Sequence, residues 1–406
     1  MAEVGLRQEL RGWQILLITI SGVIGVTIFS NGGQALEIAG PGGMLCAYCI
    51  AGLIAIAVME GVSEMVQLFP APNAVVEYVK AFVDIDLAWV VRVAYWYTYS
   101  AIFATQIIAA AGFSSYWNFP QCWQTIVFYI LSPIVILAIN FAGVKWYGYV
   151  EAFGGSLKLC MVLGCGVFVY VIADQENLGS KYLEAGLQNN PRYASNHSQA
   201  VAYAVSIISY GFLAVEIVAM TAYEARDMKD LRYAAQELVE IMAISGSVSG
   251  LIVWASLCLA FIRYEYWLRM HKDSLHGAHY RRYNQWDRTV RESSTFLGYF
   301  QPVVAWAGLA GCLIVVFVFS SAMWWNGVIR FRKVASAYAT PIILLALWII
   351  RKIVFGGKHE HQRGWFVKLD DDFTELSQTF RRLEYTKLGS QSATSHQWFS
   401  RFFGRL

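Results

Sequence analysis

The sequence predicts an all-α, polytopic integral membrane protein, and three observations carry that prediction. Hydrophobic residues make up 57% of the 406 positions and charged residues 15%, against about 45–50% and 25% in an ordinary soluble domain. The apolar residues gather into nine runs, each near the length of about 20 residues that crosses a hydrocarbon core of about 30 Å. Aromatic residues reach 15%, in keeping with Trp and Tyr girdles at two membrane interfaces.

Taken in order, residues 1–12 carry Arg7 and Arg11 ahead of the first run and have no small-residue cleavage site. They read as a cytosolic N-terminus followed by a retained helix, not a signal peptide. The runs lie at 13–36, 42–68, 88–112, 122–142, 150–173, 199–222, 241–263, 299–320 and 333–355. The first is interrupted at Ser21-Gly22-Val23-Ile24-Gly25, where glycine lets a helix unwind at membrane depth. The fifth contains Lys158, and the sixth contains Gly211 and Glu216, a carboxylate that is costly in lipid. Between them, the polar stretch 174–198 holds the sequon Asn196-His197-Ser198, which faces outside if the N-terminus is inside and is then open to glycosylation. The tail 356–406 is polar and reads as a cytosolic appendage with an amphipathic stretch near 373–388.

Charge and cysteine usage exclude several classes. The net charge of +3 is spread over loops and tails with no basic patch interleaved with aromatics, which argues against a nucleic-acid partner. Six of the seven cysteines lie inside apolar runs, with Cys122 at the edge of one, and read as small packing residues, not a disulfide or metal framework. No Ser-His-Asp or His-x-x-x-His arrangement stands at reacting spacing, and the one Cys-x-x-Cys, Cys46 to Cys49, lies inside an apolar run, so no enzyme, cofactor or metal site is expected. Segment 263–297 contains Arg263, Arg269, Lys272, Arg281, Arg282, Arg288 and Arg291, yet alternation over nine spans places it outside. Basic loops prefer the cytosol, so either one run does not span or an odd number of helices is absent between 223–236 and the run that starts near 241.

Ordered motifs resolve this conflict. The first run reads Ile20-Ser21-Gly22-Val23-Ile24-Gly25-Val26-Thr27-Ile28-Phe29 and is followed by Ala39-Gly40-Pro41-Gly42-Gly43. Glu64-Met65 with Phe69-Pro70 closes the second run, Tyr95-Trp96 precedes Gln106, Glu151 precedes Lys158, and Glu216 stands eight residues before Glu224. This set resembles the fungal amino-acid permeases of the amino acid–polyamine–organocation superfamily. Ile244-Ser245-Gly246, Trp254 and Ile262-Arg263-Tyr264 resemble that family's tenth helix, and Gln301-Pro302 opens a likeness of its eleventh. Helices seven to nine have no counterpart, and restoring three spans returns the basic loop and the tail to the cytosol.

The resemblance implies an incomplete leucine-transporter-like inverted-repeat fold of about nine transmembrane helices. Repeat one covers 13–173, an incomplete repeat two 199–263, and extra helices 299–320 and 333–355 complete a transmembrane domain over 13–355. It also implies substrate at the midplane, between broken first and sixth helices whose free backbone groups bind carboxylate and ammonium. The expected substrate-binding residues are Ser21, Gly22, Val23, Ile24, Gly25 and Thr27 on the first helix and Tyr210, Gly211, Phe212 and Ala214 on the sixth. Gly22 and Gly25 serve equally for tight helix packing, and Tyr210 and Phe212 for aromatic packing. Ala214 and Val215 replace the family's glycine-threonine pair, which leaves substrate preference open.

Coupling falls on Glu216, Lys158 and Gln106. A buried carboxylate at Glu216 pairs or takes up a proton, unless it sits at the interface. Lys158 matches a lysine that stands in for a coupling sodium in proton-coupled relatives, or it snorkels to the interface. Gln106 occupies the place of a third-helix glutamate and cannot release a proton. The resemblance therefore implies a plasma-membrane amino-acid transporter, coupled to protons and working by alternating access, with membrane lipid as its surroundings. Two alternatives stand beside it: a shortened, non-transporting remnant, and an amino-acid-sensing membrane protein of the same family.

Overall fold

The computed structural model describes residues 32–69, 73–118, 120–141, 144–175, 190–212, 236–273, 284–287, 298, 300–325, 331–355, 365–367 and 369. Described secondary structure is helical throughout, with no strand among these residues. Helix α1 spans Gly32–Leu68, α2 Ala74–Phe82 and α3 Ile85–Ser114. A short α4, Gln121–Gln124, runs through a π-helical stretch, Thr125–Leu131, into α5, Ser132–Phe141. Then follow α6 Val144–Gln175, α7 His197–Phe212, α8 Gln236–Met270, α9 Val303–Phe317 and α10 Phe331–Phe355.

Among the described residues, six helices are long and apolar enough to cross a membrane: Gly32–Val66, Cys122–Phe141, Trp146–Ile172, Gly246–Met270, Val303–Trp324 and Val334–Val354. Two further expected spans, 88–112 and 199–222, coincide with α3 and with α7, of which 16 residues are described. Most of the first expected span, 13–36, lies outside the described residues. Helix α8 runs seven residues past the expected end at 263, so Arg263 and Arg269 are helical residues, not loop residues.

Local chemistry explains the element ends. Helix α1 breaks at Gly40, whose φ of 69° suits glycine and which precedes Pro41. The wide turn Thr125–Leu131 ends just before Pro133, whose ring would strike the carbonyl four residues back in a regular α-helix. Asn196 caps α7 by accepting the Gln199 N–H at 2.9 Å, while Gln199 Oε1 accepts the Ser195 N–H at 2.9 Å. That reciprocal pair is a variant of the capping box. The Gln199 amide also donates to the Ala322 carbonyl at 2.7 Å, tying α7 to the 3-10 turn Phe319–Trp324.

The core gathers where α8 meets α3, α9 and α10 and where α1 lies along α7 and α9. Trp254, Phe261, Tyr264 and Trp267 project from α8 and are almost fully buried. At one end, Phe69, Phe82 and Tyr264 form a cluster with ring centroids 5.4–6.1 Å apart. Tyr78 beside it donates to the Phe69 carbonyl at 2.8 Å, and burial pushes its ionisation well above the usual phenol range. Helices α5 and α6 stand outside this core and pack chiefly on each other and on the π-helical stretch. Their aliphatic and aromatic side chains are largely exposed, which suits a surface bathed in hydrocarbon.

The cysteines depart from expectation. Cys258 and Cys312 are buried, but Cys46, Cys49, Cys122, Cys160 and Cys165 are exposed. Periodicity marks a helix as apolar all round but does not say which side meets protein and which meets lipid, so packing roles cannot be assigned from an apolar run.

A buried charge cluster ties the last helix to the start of α3. Asp84 caps α3 by accepting the Leu87 N–H at 3.0 Å, and it also meets the Lys352 ammonium at 2.6 Å and the Trp348 indole at 2.7 Å. Asp86 accepts Arg351 Nε at 3.0 Å and lies 3.9 Å from Lys352 Nζ. The Arg351 guanidinium stacks over Trp89 at 4.8 Å. Nearby, Arg263 donates to the carbonyls of Phe82 and Val367, and the Val367 N–H donates to Val83 O at 2.8 Å. A piece of the tail is thus docked beneath α3 and α8. The expected amphipathic stretch at 373–388 lies outside the described residues.

Candidate functional site

Helix α7 carries the described sixth-helix residues of the expected site. Tyr210 is 5% exposed and turns toward α3, where its hydroxyl lies 2.6 Å from Thr105 Oγ1. Thr105 has one hydroxyl hydrogen, and the Ile102 carbonyl at 2.8 Å can only accept it. The Tyr210 hydroxyl is therefore the donor to Thr105. On the other side of the ring stands α8: a Cβ added at Gly246 would sit 3.6 Å from Tyr210 Cε2 and 3.7 Å from Ala101 Cβ. Helices α3, α7 and α8 thus meet around one phenol.

Phe212 does not join this cluster. Its ring faces α1, with its centroid 6.3 Å from that of Tyr48 and close to Gly52. Tyr210 and Phe212 lie on different sides of α7, with half-buried Gly211 between them. A shared side-chain pocket built from both rings is not what the described residues form. Each aromatic instead packs α7 against a different neighbour, Tyr210 against α3 and α8 and Phe212 against α1.

Gln106 follows Thr105 on α3 and is half-buried. Lys158 is half-buried on α6, whose main described packing is against α5, so among the described residues it is not gathered with Tyr210. Ser21, Gly22, Val23, Ile24, Gly25, Thr27, Ala214 and Glu216 lie outside the described residues. Among the described residues, no group of three or more His, Cys, Asp or Glu could hold a metal ion.

Two features escaped the sequence reading. Thr105 gave only a weak signal, a lone hydroxyl within an apolar stretch. The cluster at Asp84, Asp86, Arg351 and Lys352 gave a stronger one, two carboxylates at a helix start and two cations in the last turn of the final run. A third polar group involves Glu64, 1% exposed, which accepts the Gly298 N–H at 3.2 Å. Across from it, Glu265 on α8 pairs with Arg269 at 3.0 Å. Burial of Glu64 among helices suits a packing role.

The Tyr210–Thr105 bond can be tested alone. Tyr210→Phe and Thr105→Val are each expected to lower thermal stability in nanodiscs by about 1 kcal/mol, the usual net worth of a buried hydrogen bond. The double variant should cost less than their sum; strict additivity would show that the two hydroxyls do not share a bond.

Comparison with known proteins adds the following. A family model described as "Amino acid permease" matches residues 14–231. The tryptophan permease of Saccharomyces cerevisiae is 30% identical over 245 residues, covering 57% of this chain and 39% of the relative. Amino-acid permease GAP5 of Candida albicans is 26% identical over 230 residues, 55% of this chain and 36% of the relative. The uncharacterized amino acid permease YtnA of Bacillus subtilis is 26% identical over 228 residues, 54% of this chain and 48% of the relative. The chain spans less than half the length of these curated relatives. No solved structure matches it significantly.

Proposed function

This chain belongs to the amino acid permease family, and from that premise we propose that its function is transmembrane transport of amino acids at the plasma membrane. The observation that carries the reading is the extent of the family match, residues 14–231, which takes in both the glycine-interrupted first run and the sixth-helix signature. Those are the two elements expected to hold substrate. Residues Ser21, Gly22, Val23, Ile24, Gly25 and Thr27 would supply backbone groups from the first helix, and Tyr210, Gly211, Phe212 and Ala214 the facing wall. The bonded Tyr210 would hold the sixth helix to α3, with Phe212 holding it to α1.

Coupling to protons is part of the proposal, with Glu216 as the carrier and Lys158 as the fixed cation. Gln106 cannot carry a proton, so coupling does not run through that position. Movement would be alternating access, α7 and the first helix rocking against α3 and α8. The second reading, a shortened remnant without transport, is favoured by one observation. The family match stops at residue 231, and the helix that follows, α8, resembles the family's tenth helix, not its seventh. We propose that the transporting form carries three further helices between 231 and 244, because a midplane site missing those walls opens to lipid.

The test has two stages. Sequencing the transcript across the codons for 231–244 is expected to reveal a form encoding three more spans. Reconstituted in liposomes with an inward proton gradient, that form should take up amino acids saturably, and its Glu216→Gln variant should not. Proton-dependent uptake unchanged in Glu216→Gln removes Glu216 from the mechanism. Saturable uptake by the 406-residue chain itself would overturn the need for further helices.

A further inference from the structure

A cavity of about 440 Å³ lies among α3, α8, α9 and α10, apart from the Tyr210 cluster. Its volume falls within the range of small-molecule pockets, about 300–1,000 Å³. Its walls are aliphatic and aromatic side chains, with Ser256, Tyr338 and Trp348 supplying the few polar atoms. Along α10 it extends from Tyr338 to Trp348, about 15 Å at the rise of an α-helix. Such a space is too apolar to hold ordered water. Leu313 and Phe317 on α9 and Ile342 and Leu345 on α10 line it and are also exposed, so it opens between these two helices. Both helices contain candidate membrane spans, and the opening therefore faces hydrocarbon.

We propose that this cavity binds a membrane sterol. Hydrogen-bond bookkeeping selects the class. Ser256 donates its hydrogen to the Ile252 carbonyl at 2.9 Å and Tyr338 to the Phe317 carbonyl at 2.8 Å. Trp348 donates to Asp84, while Arg351 and Lys352 are engaged with Asp86 and Asp84. With their hydrogens committed, these two lining hydroxyls can only accept from a ligand. A phosphate or ester carbonyl, which also only accepts, finds no donor there. A neutral alcohol on an apolar body does. Sterols, ceramides and diacylglycerols share that pattern, and among them a sterol's fused rings lose the least conformational freedom on immobilisation.

The experiment uses the 406-residue chain in phosphatidylcholine nanodiscs with a diazirine-bearing cholesterol, crosslinked peptides being mapped by mass. Saturable labelling of 309–317 and 338–348 is expected, displaced by unlabelled cholesterol and about threefold to tenfold less well by its 3α-hydroxyl epimer, as one hydrogen bond predicts. Ala255→Phe, which fills the cavity, should abolish that labelling; should this variant not fold, the epimer competition on the wild-type chain decides. Labelling of the same segments as strong from a phosphatidylcholine with a diazirine on its acyl chain would overturn the proposal in favour of an acyl chain. Sterol labelling spread evenly over the lipid-facing helices would overturn it altogether. Neither readout depends on transport, so failure of the transport reading leaves this one standing.

Discussion

Lys352→Met is expected to destabilise the folded protein by about 3–5 kcal/mol, the usual cost of removing one partner from a buried ion pair. The Lys352 ammonium lies 2.6 Å from Asp84 and 3.9 Å from Asp86, and both carboxylates are fully buried. Without the lysine, Asp84 keeps its cap bond from Leu87 and the Trp348 indole, two neutral donors that do not cancel a charge. Arg351 Nε meets Asp86 at 3.0 Å. The attraction between α10 and the start of α3 would fall with it. A compensating variant separates charge from packing. Asp84→Asn combined with Lys352→Met should recover most of the loss, because asparagine caps a helix as well as aspartate does and the remaining buried carboxylate, Asp86, keeps Arg351 at 3.0 Å. Thermal unfolding in nanodiscs reads both; a Lys352→Met variant within about 1 kcal/mol of wild type would show that these carboxylates reach water.

The second large effect comes from one hydrogen atom. A Cβ at Gly61 would lie 2.9, 3.1 and 3.2 Å from three ring carbons of Phe261, where α1 crosses α8. Phe261 is 1% exposed and packs against Tyr264 at 5.8 Å, so its ring has nowhere to go. Gly61→Ala should cost about 1–3 kcal/mol through overpacking, and Gly61→Val more, by pushing the two helices apart. Gly154 on α6 is the control. Nothing lies within 4 Å of a Cβ built there, and alanine is the better helix former by about 1 kcal/mol. Gly154→Ala is therefore expected to be neutral or mildly stabilising. If both alanine variants melt alike, close approach at Gly61 is not what sets the α1–α8 distance.

Much of the fold was legible in advance because membrane helices follow from length and hydropathy, which are local properties. The runs at 42–68, 122–142, 150–173, 299–320 and 333–355 each coincide with a described helix. Ends were less legible where polar and apolar chemistry overlap. Helix α8 continues through Arg263 and Arg269 because Arg263 finds the carbonyls of Phe82 and Val367 and Arg269 finds Glu265. Phe82 and Val367 lie 181 and 104 residues from Arg263, whereas Glu265 is one helical turn from Arg269. Helix α2 was not anticipated at all: it is 9 residues long and too short to register as a span.

The candidate site divides in the same way. Tyr210 and Phe212 could be named from a motif, but two positions of separation on a helix point side chains well apart, and only packing says where each lands. Tyr210 meets Thr105, 105 residues away, and Phe212 meets Tyr48. The sequence by itself determined that this protein is an all-helical, multi-pass membrane protein of the amino acid permease family, since hydropathy, spacing and ordered motifs are written along the chain. The tertiary structure alone decided which faces are core and which meet lipid, that Asp84 and Asp86 close against Lys352 and Arg351, and that an apolar cavity opens between α9 and α10. In a chain that is apolar nearly everywhere, the hydrophobic pattern does not separate protein-facing from lipid-facing sides; shape and long-range hydrogen bonds do.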